Sequence, residues 1–262
     1  MAGFWAQVGS PLRPSREDIN LYQEVIQAWS VSNGAPRVLL LGVTPEIYGL
    51  AWSQATDFLA VDRSQAMIDG VWPGPRGSAK CGDWLEMDLA EASRDMVFCD
   101  GGLNLLAYPS DHRRLVDVLG RILPPGGLCI LRLFAPPSRH EAPEIVMEDL
   151  VAGKISNLSV LKLRLWAALQ HDASEGVELS AVWRVVKESV GDLEEFAGKI
   201  GWPVAQMLAI NAYRDAPTHY HLLTVNEVIS LFCDRGAFRV GEVRIPAYEY
   251  GDRCPIVVLE RT

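Results

Sequence analysis

RVLLLGVTPE (37–46), followed one strand later by FLAVDRSQAMI (58–68), is the stretch from which the fold can be read. Val38 to Leu41 and Phe58 to Val61 are apolar without alternation, as in strands covered on both faces of a parallel sheet. The first run ends on Gly42 and the second on Asp62. A glycine at a strand tip lets backbone approach a ligand closely, and an acidic residue at the tip of the neighbouring strand can accept both hydroxyls of a ribose. Together they point to a nucleoside site at the edge of an open α/β sheet.

Working outward, MVFCDG (96–101) and LCILRLF (128–134) are two further buried strands. Between them SDHRRLVDVLGRILPPGG (110–127) is a helix with Ser110 as its N-cap and Pro-Pro-Gly-Gly as its stop. Upstream, Ser15 and Asp18 form a capping-box pattern ahead of Ile19, Tyr22, Val25, Ile26 and Trp29, which fall at helical spacing until Asn33-Gly34. Downstream, residues 157–170, 177–190, 192–200 and 203–214 have helical spacing or cap residues, the third with an Asp-x-x-Glu box. TVNEVISLFCDRG (224–236) is another boxed helix, and FRVGEVRIP (238–246) with PIVVLER (255–261) forms an antiparallel hairpin. The pattern is α/β and doubly wound. It divides into an N-terminal helical segment (1–35), a core (36–140 and 221–262) and a helical insertion (141–220) expected to act as a substrate lid.

The 262 residues carry a formal net charge of −9, with 49% hydrophobic and 22% charged residues. One large core fits that length. The acidic balance and lack of a Lys/Arg cluster argue against a nucleic-acid partner, which needs clustered cations to displace counterions. Cys81, Cys99, Cys129, Cys233 and Cys254 are scattered and without C-x-x-C spacing, so neither a disulfide framework nor a metal site is expected. No run approaches the roughly 20 apolar residues of a membrane span, and the first residues lack a leader pattern. The expected home is the cytoplasm.

Five features follow one another: the Gly42 loop, Asp62, CGDWLEM (81–87), CDGGLNLL (99–106), and the strand after Pro-Pro-Gly-Gly with the terminal hairpin. This order resembles the class I S-adenosylmethionine-dependent methyltransferases over residues 37–134 and 221–262. The resemblance implies a Rossmann-like, doubly wound seven-stranded sheet with a reversed last strand, and S-adenosyl-L-methionine as cofactor. It implies that Leu41, Gly42, Val43 and Thr44 wrap the methionine and ribose portion, and that Asp62 holds the ribose hydroxyls with Arg63 and Met67 near the adenine. Gly82, Asp83 and Trp84 match the adenine loop, with the Asp83 carboxylate on the amino group and Trp84 on the ring. Asp100 and Gly101 match the position that meets the cofactor amino group, with Asn104 one helical turn further on. The chain departs from the family at its first loop, where Leu40, Gly42, Thr44 and Glu46 leave one of the expected glycines and no preceding acid. Glu46 can supply that carboxylate from the other side.

Methyl transfer from a sulfonium needs donor and nucleophile held in line more than it needs a strong acid or base. The expected reaction is therefore methylation of a small-molecule acceptor, with His219 and His221 of THYH (218–221) as the base candidates. A histidine at either position also fits a packing role. A non-catalytic or regulatory protein retaining the fold is the alternative, motivated by the altered glycine loop. A nicotinamide-dependent oxidoreductase is disfavoured because no G-x-G-x-x-G follows the first strand.

Overall fold

The computed structural model describes residues 2–262. Among the described residues nine strands are formed: β1 Arg37–Leu41, β2 Asp57–Asp62, β3 Ala79–Cys81, β4 Met96–Asp100, β5 Leu128–Arg132, β6 Val177–Glu178, β7 His219–Tyr220, β8 Phe238–Arg244 and β9 Ile256–Arg261. Seven build one sheet in the order β3-β2-β1-β4-β5-β9-β8, while β6 and β7 form a separate two-stranded ladder. β1 to β5 run parallel, and β9 runs antiparallel to both β5 and β8. The chain steps outward from β1 to β3, then returns to place β4 on the other side of β1. That reversal creates a switch point beyond the carboxyl ends of β1 and β4, where open α/β sheets hold their ligands.

The helices are α1 Arg16–Asn33, α2 Pro45–Tyr48, α3 Gln65–Val71, α4 Ser110–Ile122, α5 Pro143–Val151, α6 Leu158–Leu169, α7 Leu179–Val190, α8 Leu193–Ile200, α9 Val204–Leu208 and α10 Val225–Cys233. Strand alternation sorts the sheet into two cores. Leu39 and Leu41 join Leu115 and Leu119 of α4 and Val228 and Phe232 of α10 on one face. Val38 and Leu40 join Tyr22, Val25 and Ile26 of α1 on the other. A third core belongs to the helices between β5 and β7 and extends to Phe134 and Cys254. Its axis is α6, in which Leu158 to Ala168 are all buried.

Several local expectations are corrected. Ser110 is the first helical residue of α4, with Pro109 at the N-cap and no side-chain cap. The stretch at 177–190 starts as β6, because Val177 and Glu178 pair with Tyr220 and His219, and only then becomes α7. The segment at 203–214 is α9 followed by a 3-10 turn, Ala209–Tyr213. Asp192 caps α8 by accepting from the Glu194 and Glu195 amides, while the Glu195 side chain pairs with Lys199 at 2.7 Å instead of closing a box. An additional 3-10 turn, Ala2–Gln7, precedes a strap that runs to α1. Along the strap the Gly9 amide donates to Ser159 Oγ at 3.1 Å, Pro11 O accepts from Arg132, and Arg13 pairs with Glu46. The strap thereby ties the helical layer to the carboxyl ends of the sheet.

Candidate functional site

Gly42 leaves β1 with φ +101°, a conformation that L side chains rarely adopt, and its amide donates to Val61 O at 2.8 Å. A Cβ built on it would stand 4.0 Å from Asp62 Oδ2. The tips of β1 and β2 thus put a bare backbone beside a carboxylate. Asp62 Oδ1 accepts the Ser64 amide at 2.8 Å, leaving Oδ2 facing Gly42. Partial burial raises the Asp62 pKa above the usual carboxylate value, with the Ser64 amide and Arg63 opposing the shift. A group with vicinal hydroxyls fits this edge, because the carboxylate can accept two hydrogen bonds and no side chain intrudes from Gly42.

The other neighbour of that space is Trp84. Its indole Nε1 donates to Val61 O at 2.7 Å, so that carbonyl receives both Trp84 and Gly42. The six-membered ring reaches from Gly42, whose built Cβ lies 3.9 Å from Cζ2, to Gly102, whose built Cβ would lie 2.7 Å from Cη2. Residues following β1 and β4 therefore contact the same indole, which lies across the switch point. The edge formed by Gly42 and Asp62 fits the ribose of an S-adenosyl group, and the indole borders the same crevice.

At the tip of β4, Asp100 is fixed by its neighbour in β5. Arg132 Nε meets Asp100 Oδ1 at 2.5 Å, and the two side chains are 0% and 4% exposed. Arg132 Nη1 donates to Pro11 O at 2.8 Å, and the Tyr22 hydroxyl lies 3.4 Å from Asp100 Oδ1. Burial alone would lower the Arg132 pKa, but Asp100 and Tyr22 hold it well above its ordinary value, so the guanidinium stays protonated. Beside the pair, the Phe134 ring occupies the space over Gly101 that a Cβ would need, and the guanidinium stacks on it at 5.5 Å.

Between the ends of β4 and β5 and the segment leading into α10 lies a small cavity of about 10 Å³, lined by Gly101, Asn104, Arg132, Phe134, His221 and Leu223 among others. Asn104 Oδ1 and Arg132 Nη2 are buried without a partner. The His221 amide donates to Asn104 O at 2.8 Å, and its Nδ1 lies 2.8 Å from Ala173 O. A carbonyl only accepts, so that contact places a proton on Nδ1. Nearby, burial lowers the His112 pKa to about 4, so that imidazole stays neutral.

The remaining expected site residues are placed as follows. Leu41, Val43 and Thr44 are buried, with Val43 packed in the α1-side core and Thr44 at the start of α2. Glu46 Oε1 accepts from Arg13 Nε at 2.6 Å, while its Oε2 is buried without a partner. Arg63 is exposed, and Met67 packs at the rim of the α1-side core. The Gly82 amide donates to Asp62 O at 3.0 Å, and Asp83 Oδ1 caps the turn by accepting the Leu85 amide at 2.8 Å. His219 is exposed, with Nδ1 at 3.1 Å from Pro217 O, and does not line the cavity. Sequence reasoning did not single out Arg132, Phe134 or Arg13. A charged residue inside the apolar run LCILRLF was the one visible sign of Arg132.

Residues 41–131 match the family described as Methyltransferase domain. Among solved structures, the chain is similar to the N-methyltransferase NodS from Bradyrhizobium japonicum, determined with S-adenosyl-L-homocysteine. The two are 13% identical with a TM-score of 0.52, over 98% of this chain and 91% of NodS. The CcbJ methyltransferase from Streptomyces caelestis is 14% identical with a TM-score of 0.56, over 100% and 96%. A Rhodobacter sphaeroides protein provisionally described as a Zn-dependent alcohol dehydrogenase is 13% identical with a TM-score of 0.61, over 100% and 95%. At these identities the likeness speaks for the fold. No curated protein matches the chain in sequence.

Proposed function

We propose that this chain, whose residues 41–131 match a methyltransferase domain, is a class I S-adenosylmethionine-dependent methyltransferase acting on a small-molecule acceptor held at the carboxyl ends of its sheet. The observation that supports this reading is the pair of buried polar atoms without partners, Asn104 Oδ1 and Arg132 Nη2, at a water-sized cavity lined also by His221 at the carboxyl ends of β4 and β5. Buried polar atoms left unpaired cost about 1–3 kcal/mol each, so a polar ligand group entering there recovers stabilisation that the free protein lacks. In this reading the helical insertion, which has a core of its own, is the substrate lid.

When bound, S-adenosylmethionine supplies an electrophilic methyl group on a good leaving group. Asp62 holds the ribose hydroxyls through Oδ2, with Gly42 offering bare backbone and Leu41, Val43 and Thr44 shaping the loop. Gly82 and Asp83 face the adenine, with Arg63 and Met67 at the outer rim. Glu46 Oε2, buried and unpartnered, receives the cationic amino group. The carboxylate of Asp100 is committed to Arg132, so the backbone of Asp100 and Gly101 acts there instead. Asn104 orients the acceptor through Oδ1, and His221 Nε2 takes the proton as the acceptor is methylated. His219, exposed on β7, is left outside the reaction. No helix among the described residues is long and apolar enough to cross a membrane.

The test is transfer of label from methyl-labelled S-adenosylmethionine to a panel of small hydroxyl- and amine-bearing compounds, with wild type and His221→Ala. The reading expects label in a small molecule, and a kcat lowered by roughly 10²–10⁴ in the variant with cofactor affinity retained. Transfer only to protein or nucleic acid, or an unchanged kcat in His221→Ala, would refute it.

A further inference from the structure

We infer that the helical layer selects the acceptor by charge, with Lys162 and the Trp166 indole on one face of α6 holding a carboxylate of an otherwise flat, apolar molecule. The placement of these side chains supplies the first reason. Ser159, Lys162 and Trp166 follow one another at i, i+3 and i+7, so they share one face of the buried α6. At one end of this stripe Ser159 Oγ accepts the Gly9 amide at 3.1 Å, beside an open groove of about 410 Å³ bordered by Gln7, Gly9, Asn157, Pro203 and Gln206. At the other end the Trp166 ring centre lies 5.8 Å from that of Phe134, which covers Gly101 after β4, and 5.0 Å from that of Tyr220, which precedes His221. The stripe thus leads from an open groove towards the carboxyl ends of the sheet.

The second reason is that this face presents two donors and no acceptor for either. Lys162 is buried, and among the described residues it has neither an ion pair nor a hydrogen bond; its Nζ rests 4.6 Å from the centre of the Tyr213 ring. Arg164, two residues on and on the opposite side of α6, shows how the same helix treats a cation with a structural job, since it pairs with both Glu141 and Asp149. Trp166 Nε1 is buried without a partner. A ring face does not replace the hydration that a buried ammonium gives up, and burial lowers the Lys162 pKa to about 8. A carboxylate supplies what both groups lack, a negative charge and two acceptor oxygens. A cationic acceptor would be repelled by Lys162, and a neutral one would leave the ammonium uncompensated. The rings of Phe134, Trp166, Tyr213 and Tyr220 suit a flat apolar body beside that carboxylate. Burial raises the Tyr220 pKa to about 12 and Arg63, the residue after Asp62, opposes the shift, so this aromatic wall ends within charge reach of the ribose edge.

The inference rests on the methyltransferase reading above and names the acceptor class for it. Its test is calorimetric titration of 4-hydroxycinnamate and, separately, of its primary amide into protein first titrated with S-adenosylhomocysteine. The two probes share ring and hydroxyl and differ in charge. Wild type is expected to bind the acid on the order of tenfold more tightly than the amide, equivalent to ~1.4 kcal/mol. Lys162→Met should lose that preference and Lys162→Arg should keep it. Trp166→Phe, which retains a ring without the N–H, should fall between them and covers the case in which the methionine variant does not fold. Circular dichroism establishes which variants are folded. A packing role for Lys162 would change stability and leave the acid-to-amide ratio where it was. Equal binding of acid and amide by wild type, binding of neither, or a preference that survives in full in Lys162→Met or Trp166→Phe would overturn the inference while leaving the methyltransferase reading intact. Failure of folded wild type to bind S-adenosylhomocysteine in the first titration would overturn both.

Discussion

Replacing Arg132 by Met tests how the ends of β4, β5 and the N-terminal strap are held together. The substitution roughly conserves volume but removes the guanidinium from an Asp100 carboxylate only 4% exposed, and from Pro11 O. Removing one partner of a buried ion pair leaves an uncompensated charge and costs about 3–5 kcal/mol. At about 2–4 °C per kcal/mol for a chain of this size class, the melting temperature should fall by ~6–20 °C. Urea denaturation of Arg132→Met, Asp100→Leu and the double variant gives the energies directly. The account expects the double variant to recover part of the loss, with a coupling of about 1–3 kcal/mol, because two apolar side chains leave no charge stranded. A loss below ~1 kcal/mol for Arg132→Met, or single-variant losses that simply add, would refute the claim that this pair closes the sheet edge.

Two further predictions concern stability away from the crevice. Lys162, 8% exposed in α6, places Nζ 4.6 Å from the centre of the Tyr213 ring, and burial lowers its pKa from 10.5 to about 8. A folded-state value below the unfolded one means that the unfolded chain binds more protons between the two, so wild type should gain stability relative to Lys162→Met as pH rises from about 8 to 10.5. A difference between the two proteins that does not change with pH in urea melts over that range would contradict it. At the start of α1, Ser15 Oγ accepts the Asp18 amide at 3.2 Å and the Ser15 amide donates to Asp18 Oδ2 at 2.7 Å. Ser15→Ala should cost ~1 kcal/mol, and Asp18→Ala more, since the buried Asp18 also receives the Tyr248 hydroxyl at 3.2 Å; equal losses by thermal melting would place no weight on the Tyr248 contact.

The central strands β1, β2, β4 and β5 were legible because they are apolar without alternation, three of them ending at Gly42, Asp62 and Asp100, whereas the short β3, with Lys80 and Cys81 exposed, has no such run. The terminal hairpin was legible from two apolar runs at the end of the chain. Short elements were not. The two-residue ladder of β6 and β7 depends on residues about forty positions apart, and no local periodicity reports such pairing. Ser110 looked like a cap because serine precedes an apolar periodic run, but the proline before it already supplies the non-helical entry into α4. At the site, Asp62 and Gly42 were read from position alone and lie side by side. The partnership of Asp100 with Arg132 was hidden because it crosses between adjacent parallel strands, where register decides which side chains meet. His219 and His221 look equivalent in sequence, yet strand alternation and the turn into residue 221 leave one exposed and the other lining the cavity.

The central claim is that the switch point between β1 and β4 binds the S-adenosyl group with Asp62 on its ribose. Calorimetric titration of S-adenosylhomocysteine into wild type and Asp62→Ala, with circular dichroism to establish that both are folded, tests it most directly. The account predicts saturable one-to-one binding by wild type and a loss of at least ~1.4 kcal/mol, tenfold in Kd, in the variant. Binding that is unchanged in Asp62→Ala, or absent from folded wild type, would contradict it.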